Sequence, residues 1–219
     1  MNRSKEKFAI ATIILGAIII IEALGYFNAL NLLIFNSIKP DKGVLIKILT
    51  DSGSLEAFVI YMIILYFGQA LYYRHVSKNA VSFIIAIIIA MIVTLFMKAS
   101  MAVPRPNEIA QYWPFAKALI KADYFSFPSG HAVRATILAF YASFVFNNTK
   151  KKTYIKLLSW IYAFGIMYSR LLLQVHWFSD ILGGFVVGIW ASLLVIYLEG
   201  IWVKVYAKIF NGIKGLRMR

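Results

Sequence analysis

The sequence predicts an all-α, polytopic membrane protein with six transmembrane helices, and three observations support this fold class. Of the 219 residues, 61% are hydrophobic and the mean hydropathy is +0.76, whereas an ordinary soluble domain is about half apolar. The apolar residues come in blocks of roughly twenty, the length of a helix that crosses about 30 Å of hydrocarbon. Lys and Arg residues concentrate between alternate blocks. The length fits a single integral membrane domain over residues 1–219.

Six apolar blocks are predicted to span the membrane, with boundaries accurate to a few residues. They cover residues 8–28, 55–73, 80–97, 131–146, 155–173 and 181–200. The first follows the basic segment NRSKEK, as the core of a secretory signal does, but it is too long and no small-x-small cleavage site follows it. It is therefore interpreted as a retained span. In the last span, Gly184 and Gly188 have a spacing typical of close helix packing.

The distribution of charge predicts the orientation. When sides are alternated from the N-terminus, the first side carries most of the Lys and Arg residues and only two acids, Glu6 and Glu199. The positive-inside rule places this side, with both termini, in the cytoplasm of a cell membrane. The net charge of +14 is then mainly a topology signal and a contact with anionic headgroups. No nucleic-acid partner is needed to explain it.

The two outward-facing segments, about 29–54 and 98–130, are long. Their stretches VLIKILTDSG and YWPFAKALIKADYF mix apolar residues with lysines, as helices that lie in the membrane interface do. The chain has no cysteine, which excludes a disulfide framework, a thiolate zinc site and a thiol nucleophile.

Three groups of polar residues flank the outer ends of the spans, so the predicted topology brings them to one face. They are Lys98 and Arg105 at the end of span three, Ser129, Gly130 and His131 at the start of span four, and Arg170, His176 and Asp180 around the end of span five and the start of span six. Taken singly, each has a structural explanation, such as a snorkelling cation or a helix N-cap. Together on one level of a membrane protein, they indicate a functional site.

These residue types suit a multiply charged tetrahedral anion. Lys98, Arg105 and Arg170 are permanent donors, and a helix that opens at Ser129 and Gly130 presents free N–H groups to phosphate. Asp180 could orient His176 through one ring nitrogen and leave the other as a nucleophile, if the sixth helix starts early enough to bring them together. His131 is suited to proton transfer. No carboxylate cluster of the kind that binds a metal accompanies these residues, so neither a metal nor another cofactor is predicted.

The residues form three motifs: K-x6-R-P from Lys98 to Pro106, P-S-G-H from Pro128 to His131, and S-R-x5-H-x3-D from Ser169 to Asp180. This pattern resembles the type 2 phosphatidic acid phosphatase superfamily, whose members are membrane lipid-phosphate phosphatases that share an active site with vanadium haloperoxidases. Every motif position matches.

The resemblance implies that His176 is a nucleophile forming a phosphohistidine, that Asp180 orients it, and that His131 protonates the leaving group and later activates water. Lys98, Arg105, Ser129, Gly130 and Arg170 would bind phosphate, without a metal. Two enzymatic functions fit this site. The first is hydrolysis of a membrane lipid phosphate or pyrophosphate, such as polyprenyl pyrophosphate, phosphatidylglycerol phosphate or phosphatidic acid, at the outer leaflet. The second is transfer of the phosphoryl group from a polyprenyl pyrophosphate to another lipid. A non-enzymatic anion-binding or transport protein would need neither the second histidine nor the His–Asp pair.

Two further residues are candidates for substrate contact. Glu22 lies in the outer half of the first span, where an acid must face protein or a wet cavity. Arg134 lies three residues after His131 and shares a helix face with it. We expect Arg134 to line the site or pair with an acid, with Glu22 as one candidate partner. The sequence alone determines neither the lipid nor the oligomeric state.

Overall fold

A computed structural model describes residues 2–145 and 152–218, and the regular secondary structure of this part of the chain is helical. Its α-helices, in chain order, are α1 (Asn2–Ala23), α2 (Asn28–Ser37), α3 (Val44–Asp51), α4 (Leu55–Tyr72), α5 (Lys78–Met101), α6 (Phe115–Ile120), α7 (Gly130–Val145), α8 (Lys152–Leu172), α9 (Phe178–Tyr197) and α10 (Glu199–Phe210). A short 3₁₀ helix, Ala122–Tyr124, follows α6.

A helix lies at each of the six predicted spans, but these helices differ in length and composition. Within the described residues, α4, α5 and α9 are long and apolar enough to cross a membrane, and α1 with α2 forms a fourth candidate if the bent pair is one span. Helix α7 has 16 residues, which is about 24 Å of helix and less than the hydrocarbon thickness. Helix α8 carries Lys156 and Arg170 in its 21 residues. The chain is therefore a multi-pass membrane protein.

The first predicted span, 8–28, is not one continuous helix. Helix α1 ends at Ala23, and α2 continues at an angle of 83° to it. Gly25 lies in the bend with φ of +74°, a left-handed conformation that glycine adopts without a steric penalty. The bend brings Asn31 of α2 to α9, where its side chain donates to Ser179 Oγ at 2.9 Å and accepts from Ser179 N at 3.0 Å.

Helix α7 packs between two apolar clusters. Its Ala132, Ala135 and Ala139 contact a cluster that includes Ala163 and Ile166 of α8. On the other side, its Val133 and Ile137 join a larger cluster built mainly from α5 and α9. The end of α5, the start of α7, the end of α8 and the start of α9 lie at one level, because residues at these four helix ends line one cavity.

The close contact of α7 and α9 depends on the glycines of α9. A Cβ atom at Gly184 would lie 2.5 Å from the carbonyl oxygen of Ser129, and one at Gly188 would lie 2.7 Å from Thr136 Cβ. The structure thus confirms the packing interpretation of this Gly-x-x-x-Gly spacing. The same contact holds the first residues of α7 against the start of α9.

We expect Gly184→Ala to lower the free energy of unfolding by about 1–3 kcal/mol, because the added methyl group must push two backbones apart. Thermal unfolding of the purified chain in detergent measures this. Gly16→Ala in α1 is the matched control, because its Cβ meets nothing within 4 Å and alanine favours a helix by about 0.5–1 kcal/mol over glycine. Equal shifts in the two variants would contradict the close-packing argument.

Each of the two segments predicted to face outward contains a helix, α3 within VLIKILTDSG and α6 within YWPFAKALIKADYF. Helix α3 packs on α8, and Ser52, which follows it, shares a 2.7 Å hydrogen bond with the Tyr162 hydroxyl. Helix α6 packs on α5. Both segments therefore cover the end of the helix bundle at which the polar motifs meet.

Candidate active site

A cavity of about 580 Å³ lies at the level where α5, α7, α8 and α9 meet. The side chains of all three sequence motifs reach it. The predicted site residues that line it are Lys98, Arg105, Gly130, His131, Arg134, Arg170 and His176. Residues separated by as many as 78 positions in the sequence are thus neighbours in the fold.

His176 and Asp180 form a buried pair at the start of α9. The carboxylate Oδ2 of Asp180 lies 3.1 Å from His176 Nδ1 and accepts the backbone N–H of Trp177 at 2.7 Å. Helix α9 begins only at Phe178, so the early helix start that would join the pair by a helical turn does not occur. Asp180 instead reaches back from the first turn of the helix to the residues before it. An Nδ1–H group that donates to Asp180 leaves the lone pair of His176 on Nε2.

The surroundings of His176 favour its neutral form. The side chain is 3% exposed. Burial first, and then the nearby positive charges of Arg105, Lys98 and Arg170, lower the pKa of His176 well below its usual value. A neutral imidazole is the form that can act as a nucleophile.

Neutral oxygen atoms hold the cations of the cavity. Lys98 Nζ donates to the carbonyl oxygen of Phe125. Arg105 donates to the carbonyl oxygens of Asp123 and Val175, at 2.8 and 3.0 Å. Arg170 Nη1 donates to Thr50 Oγ1 at 2.7 Å.

No ion pair neutralises these cations. In residues 2–145 and 152–218 the ion pairs within 4.0 Å are Lys78–Glu199 and His176–Asp180. Part-buried charges without a counter-charge are costly, and an anion in the cavity would offset that cost.

At the start of α7, the backbone N–H of Ser129 is not free to bind phosphate as predicted, whereas Gly130 makes room for a cation. Ser129 N–H is already donated to the carbonyl oxygen of Asp180 at 3.0 Å, so this group is not available for phosphate. Its hydroxyl oxygen is buried and has no hydrogen-bond partner among the described residues. Gly130 lines the cavity, and a Cβ atom there would lie 3.2 Å from Arg134 Nη1. Glycine therefore lets the guanidinium group of Arg134 lie against the first turn of α7.

The family model of the PAP2 superfamily matches residues 79–203, more than half of the chain, and this range contains all three motifs. The chain belongs to the PAP2 superfamily. The match confirms the family resemblance that the motifs indicate.

Three known proteins are similar to this PAP2 chain. An undecaprenyl-diphosphatase of Sulfolobus acidocaldarius is 28% identical over 129 residues, which are 59% of this chain and 59% of the relative. The match thus spans less than two thirds of the curated relative. The PAP2-type phosphatidylglycerolphosphate phosphatase of Bacillus subtilis has a similar fold, with a TM-score of 0.65, 20% identity, and coverage of 91% of this chain and 97% of the other. Aquifex aeolicus LpxE has a TM-score of 0.56, 23% identity, and coverage of 77% and 93%. At these identities the two structures show a shared fold.

The two candidate substrate-contact residues outside the PAP2 motifs, Arg134 and Glu22, line different cavities. Arg134 lines the main cavity. Glu22 lines a second cavity of about 290 Å³ with Asn28, Asn31 and Trp177. Arg134 does not pair with Glu22, because its Nε and Nη2 donate to the carbonyl oxygen of Gly53, at 3.1 and 2.9 Å. The candidate pairing fails because Gly53, which precedes α4, and Met91 of α5 contact this guanidinium group.

Sequence reasoning missed several residues that complete the site. Thr50 accepts a hydrogen bond from Arg170, and the Gly53 carbonyl accepts two from Arg134. Thr94, one turn before Lys98 on α5, also lines the cavity. Thr50 and Gly53 lie in a segment predicted only as an interfacial helix, and no motif marks them. For Thr94, the four-residue spacing from Lys98 was an available signal, since residues four apart share a helix face.

Proposed function

We propose that this PAP2 chain is a metal-independent lipid phosphatase that hydrolyses a phosphomonoester or pyrophosphate of a membrane lipid through a phosphohistidine. The observation that carries the proposal is the orientation of His176, whose Nδ1 faces Asp180 while its ring lines a cavity rich in unpaired cations. The curated relative's name, undecaprenyl-diphosphatase, supports a lipid phosphate as the substrate class. Candidate substrates are polyprenyl pyrophosphate, phosphatidylglycerol phosphate and phosphatidic acid.

In the first step, the lone pair on His176 Nε2 attacks phosphorus. An N–P bond forms, the P–O bond to the lipid breaks, and His131 gives its proton to the leaving oxygen. Asp180 keeps the Nδ1 proton of His176 in place and offsets the positive charge that develops on the ring. Lys98, Arg105 and Arg170 stabilise the negative oxygens of the transferring group.

In the second step, His131 takes a proton from water, and the water oxygen attacks phosphorus as the N–P bond breaks. Inorganic phosphate leaves, and His176 returns to its neutral form. The positive charge that this reaction needs is supplied by side chains. In the part of the chain that the structure describes, no group of three His, Asp or Glu side chains is placed to hold a metal.

The proposed placement in the membrane follows from the charge distribution. Six spans, with α7 as the shortest, put both termini in the cytoplasm and the cavity at the outer leaflet. The ion pair of Lys78 and Glu199, at 2.8 Å, joins two residues that this topology assigns to the same cytoplasmic side, which supports the arrangement. A lipid headgroup at the outer surface would then enter the cavity from the membrane.

Phosphate release from a panel of defined lipids tests the function. The purified chain is incubated with each candidate lipid, labelled in its phosphate, in the presence and absence of a metal chelator. Free inorganic phosphate, undiminished by the chelator, is the expected product. Label on a second lipid would show a phosphotransferase instead, and no turnover of any lipid phosphate would contradict the proposal.

The pH profile should report the low pKa of His176. Because the cation of Arg105 helps to lower that pKa, we expect Arg105→Gln to raise it towards the usual value and to move the acid limb of kcat/KM to higher pH. The free enzyme governs this limb. Comparing the variant with the parent on one substrate removes the contribution of the substrate's own ionisation. A limb that stays in place, or moves to lower pH, would contradict the electrostatic argument.

A further inference from the structure

The main cavity extends past the reacting residues, along α5 and α7. On α5, Thr94 lies four residues before Lys98, and on α7, Arg134 lies four residues after Gly130. Four residues of helix rise about 6 Å. Both residues are therefore displaced in the same direction, away from the end of the bundle and towards the middle of their helices.

Thr94 has a polar group that the protein leaves unsatisfied. The residue is 4% exposed and lines the cavity, and its Oγ1 is buried without a hydrogen-bond partner among the described residues. A buried hydroxyl group without a partner costs free energy. A ligand oxygen in the cavity would satisfy it.

Arg134 is a cation that the protein satisfies only in part. The side chain is 6% exposed. Two of its nitrogens donate to one carbonyl oxygen, that of Gly53, and Nη1 contacts the weak acceptor Sδ of Met91 at 3.3 Å. The acids in the cavity wall, Glu56 and Asp123, are exposed, and neither is in an ion pair with it within 4.0 Å in the described part of the chain. The guanidinium group retains donors for a ligand beside the first turn of α7.

We propose that Thr94 and Arg134 form a second anion subsite, which binds the phosphate next to the lipid tail when the substrate is a diphosphate. For the reaction itself this rests on the proposed function. His176 would attack the terminal phosphate at the end of the bundle, and the tail would extend into the hydrocarbon. The phosphate beside the tail then lies on the mid-helix side of the reacting atom, where Thr94 and Arg134 are.

In the reaction, the subsite would stabilise the leaving group, which is the lipid monophosphate. The bond that breaks joins the terminal phosphorus to the bridging oxygen, and its electron pair leaves with the lipid monophosphate. Arg134 and the Thr94 hydroxyl would stabilise the charge that develops on this leaving group. A monophosphate substrate has no group at this position and gains nothing from the two side chains.

Binding of small anions tests the subsite without relying on turnover. We expect the purified full-length chain to bind methylenediphosphonate more tightly than inorganic phosphate. Thr94→Val, which replaces the hydroxyl group with a methyl group of similar size, should narrow this preference by about tenfold, the value of one hydrogen bond to a charged group. Arg134→Gln should narrow it by about a hundredfold. Equal affinity for the two anions in the parent chain would overturn the proposal.

A matched control separates the subsite from a general effect of the substitution. Thr12 lies on another apolar helix, α1, outside the cavity, and its hydroxyl group donates to the carbonyl oxygen of Phe8. Thr12→Val should leave the preference unchanged. If it narrows the preference as much as Thr94→Val does, or if Thr94→Val has no effect, the subsite is refuted. The Thr94 variant also keeps the test decisive if Arg134→Gln does not fold, because Arg134 holds the Gly53 loop.

Kinetics with matched lipids distinguish this inference from the proposed function. The ratio of kcat/KM for a polyprenyl diphosphate to that for the monophosphate with the same tail should fall in both variants. Hydrolysis of both lipids with an unchanged ratio would refute the subsite and leave the phosphatase standing. Preferential binding of methylenediphosphonate without hydrolysis of either lipid would refute the phosphatase and leave the subsite standing.

Discussion

Replacing His176 with alanine is expected to lower the rate of phosphate release by about 10⁴-fold or more, the scale of loss when a covalent nucleophile is removed. The imidazole is the only group in the cavity wall that combines a free ring nitrogen with a carboxylate partner on the other nitrogen, among the residues that the structure describes. Without it, water would have to attack the lipid phosphate directly. The measurement is phosphate release from the lipid that gives the highest turnover in the parent chain.

The third histidine of the chain provides the control for this variant. His75 is half-buried and lies between α4 and α5, at the opposite end of α5 from Lys98. His75→Ala should keep the activity of the parent chain. Unfolding temperatures of both variants show whether any loss reflects the fold. Activity of His176→Ala above about one hundredth of the parent value would exclude His176 as the nucleophile.

Replacing His131 with glutamine is expected to lower turnover of a lipid monoester by about 10²–10⁴-fold, the usual contribution of general acid–base catalysis. Glutamine retains hydrogen-bonding capacity but cannot exchange a proton at neutral pH. Both steps of the proposed reaction would suffer, because His131 protonates the leaving oxygen in the first and activates water in the second.

A substrate with a good leaving group separates these two roles. An aryl phosphate such as p-nitrophenyl phosphate needs little proton transfer in the first step, so the phosphohistidine should form at a nearly normal rate and then persist. We expect a burst of nitrophenol and an alkali-stable phosphate on His176 in His131→Gln, detected by mass spectrometry. His75→Gln is the control and should show neither. If the variant releases nitrophenol slowly and without a burst, the role of His131 in activating water is contradicted.

Much of the fold was predictable because membrane insertion constrains the chain strongly. A span needs a long apolar run, so a helix was found at each of the six predicted positions. The break after Ala23 was not predicted, because the apolar pattern continues through it. The hydrogen bonds of Asn31 with Ser179 hold α2 against α9 after the bend, and they join residues 148 positions apart.

The sequence by itself determined which residues could form the site. Three short motifs at the ends of apolar blocks, taken with an alternating topology, are sufficient to bring Lys98, His131 and His176 to one level. The topology is sufficient because consecutive spans cross the membrane in opposite directions, so that the end of one span lies at the same level as the start of the next. Residue types at those ends then indicate a phosphate-binding site.

Only the tertiary structure decided how these residues interact. It placed His176 before α9 rather than on it and gave Ser129 N–H to the Asp180 carbonyl. It also left Thr94 Oγ1 without a hydrogen-bond partner among the described residues, in the cavity that Arg134 lines too. These outcomes depend on how closely the helices approach, as at Gly184 against Ser129. Hydrogen bonds form or fail over differences of less than 1 Å, and the spacing of residues along a sequence contains no such distance.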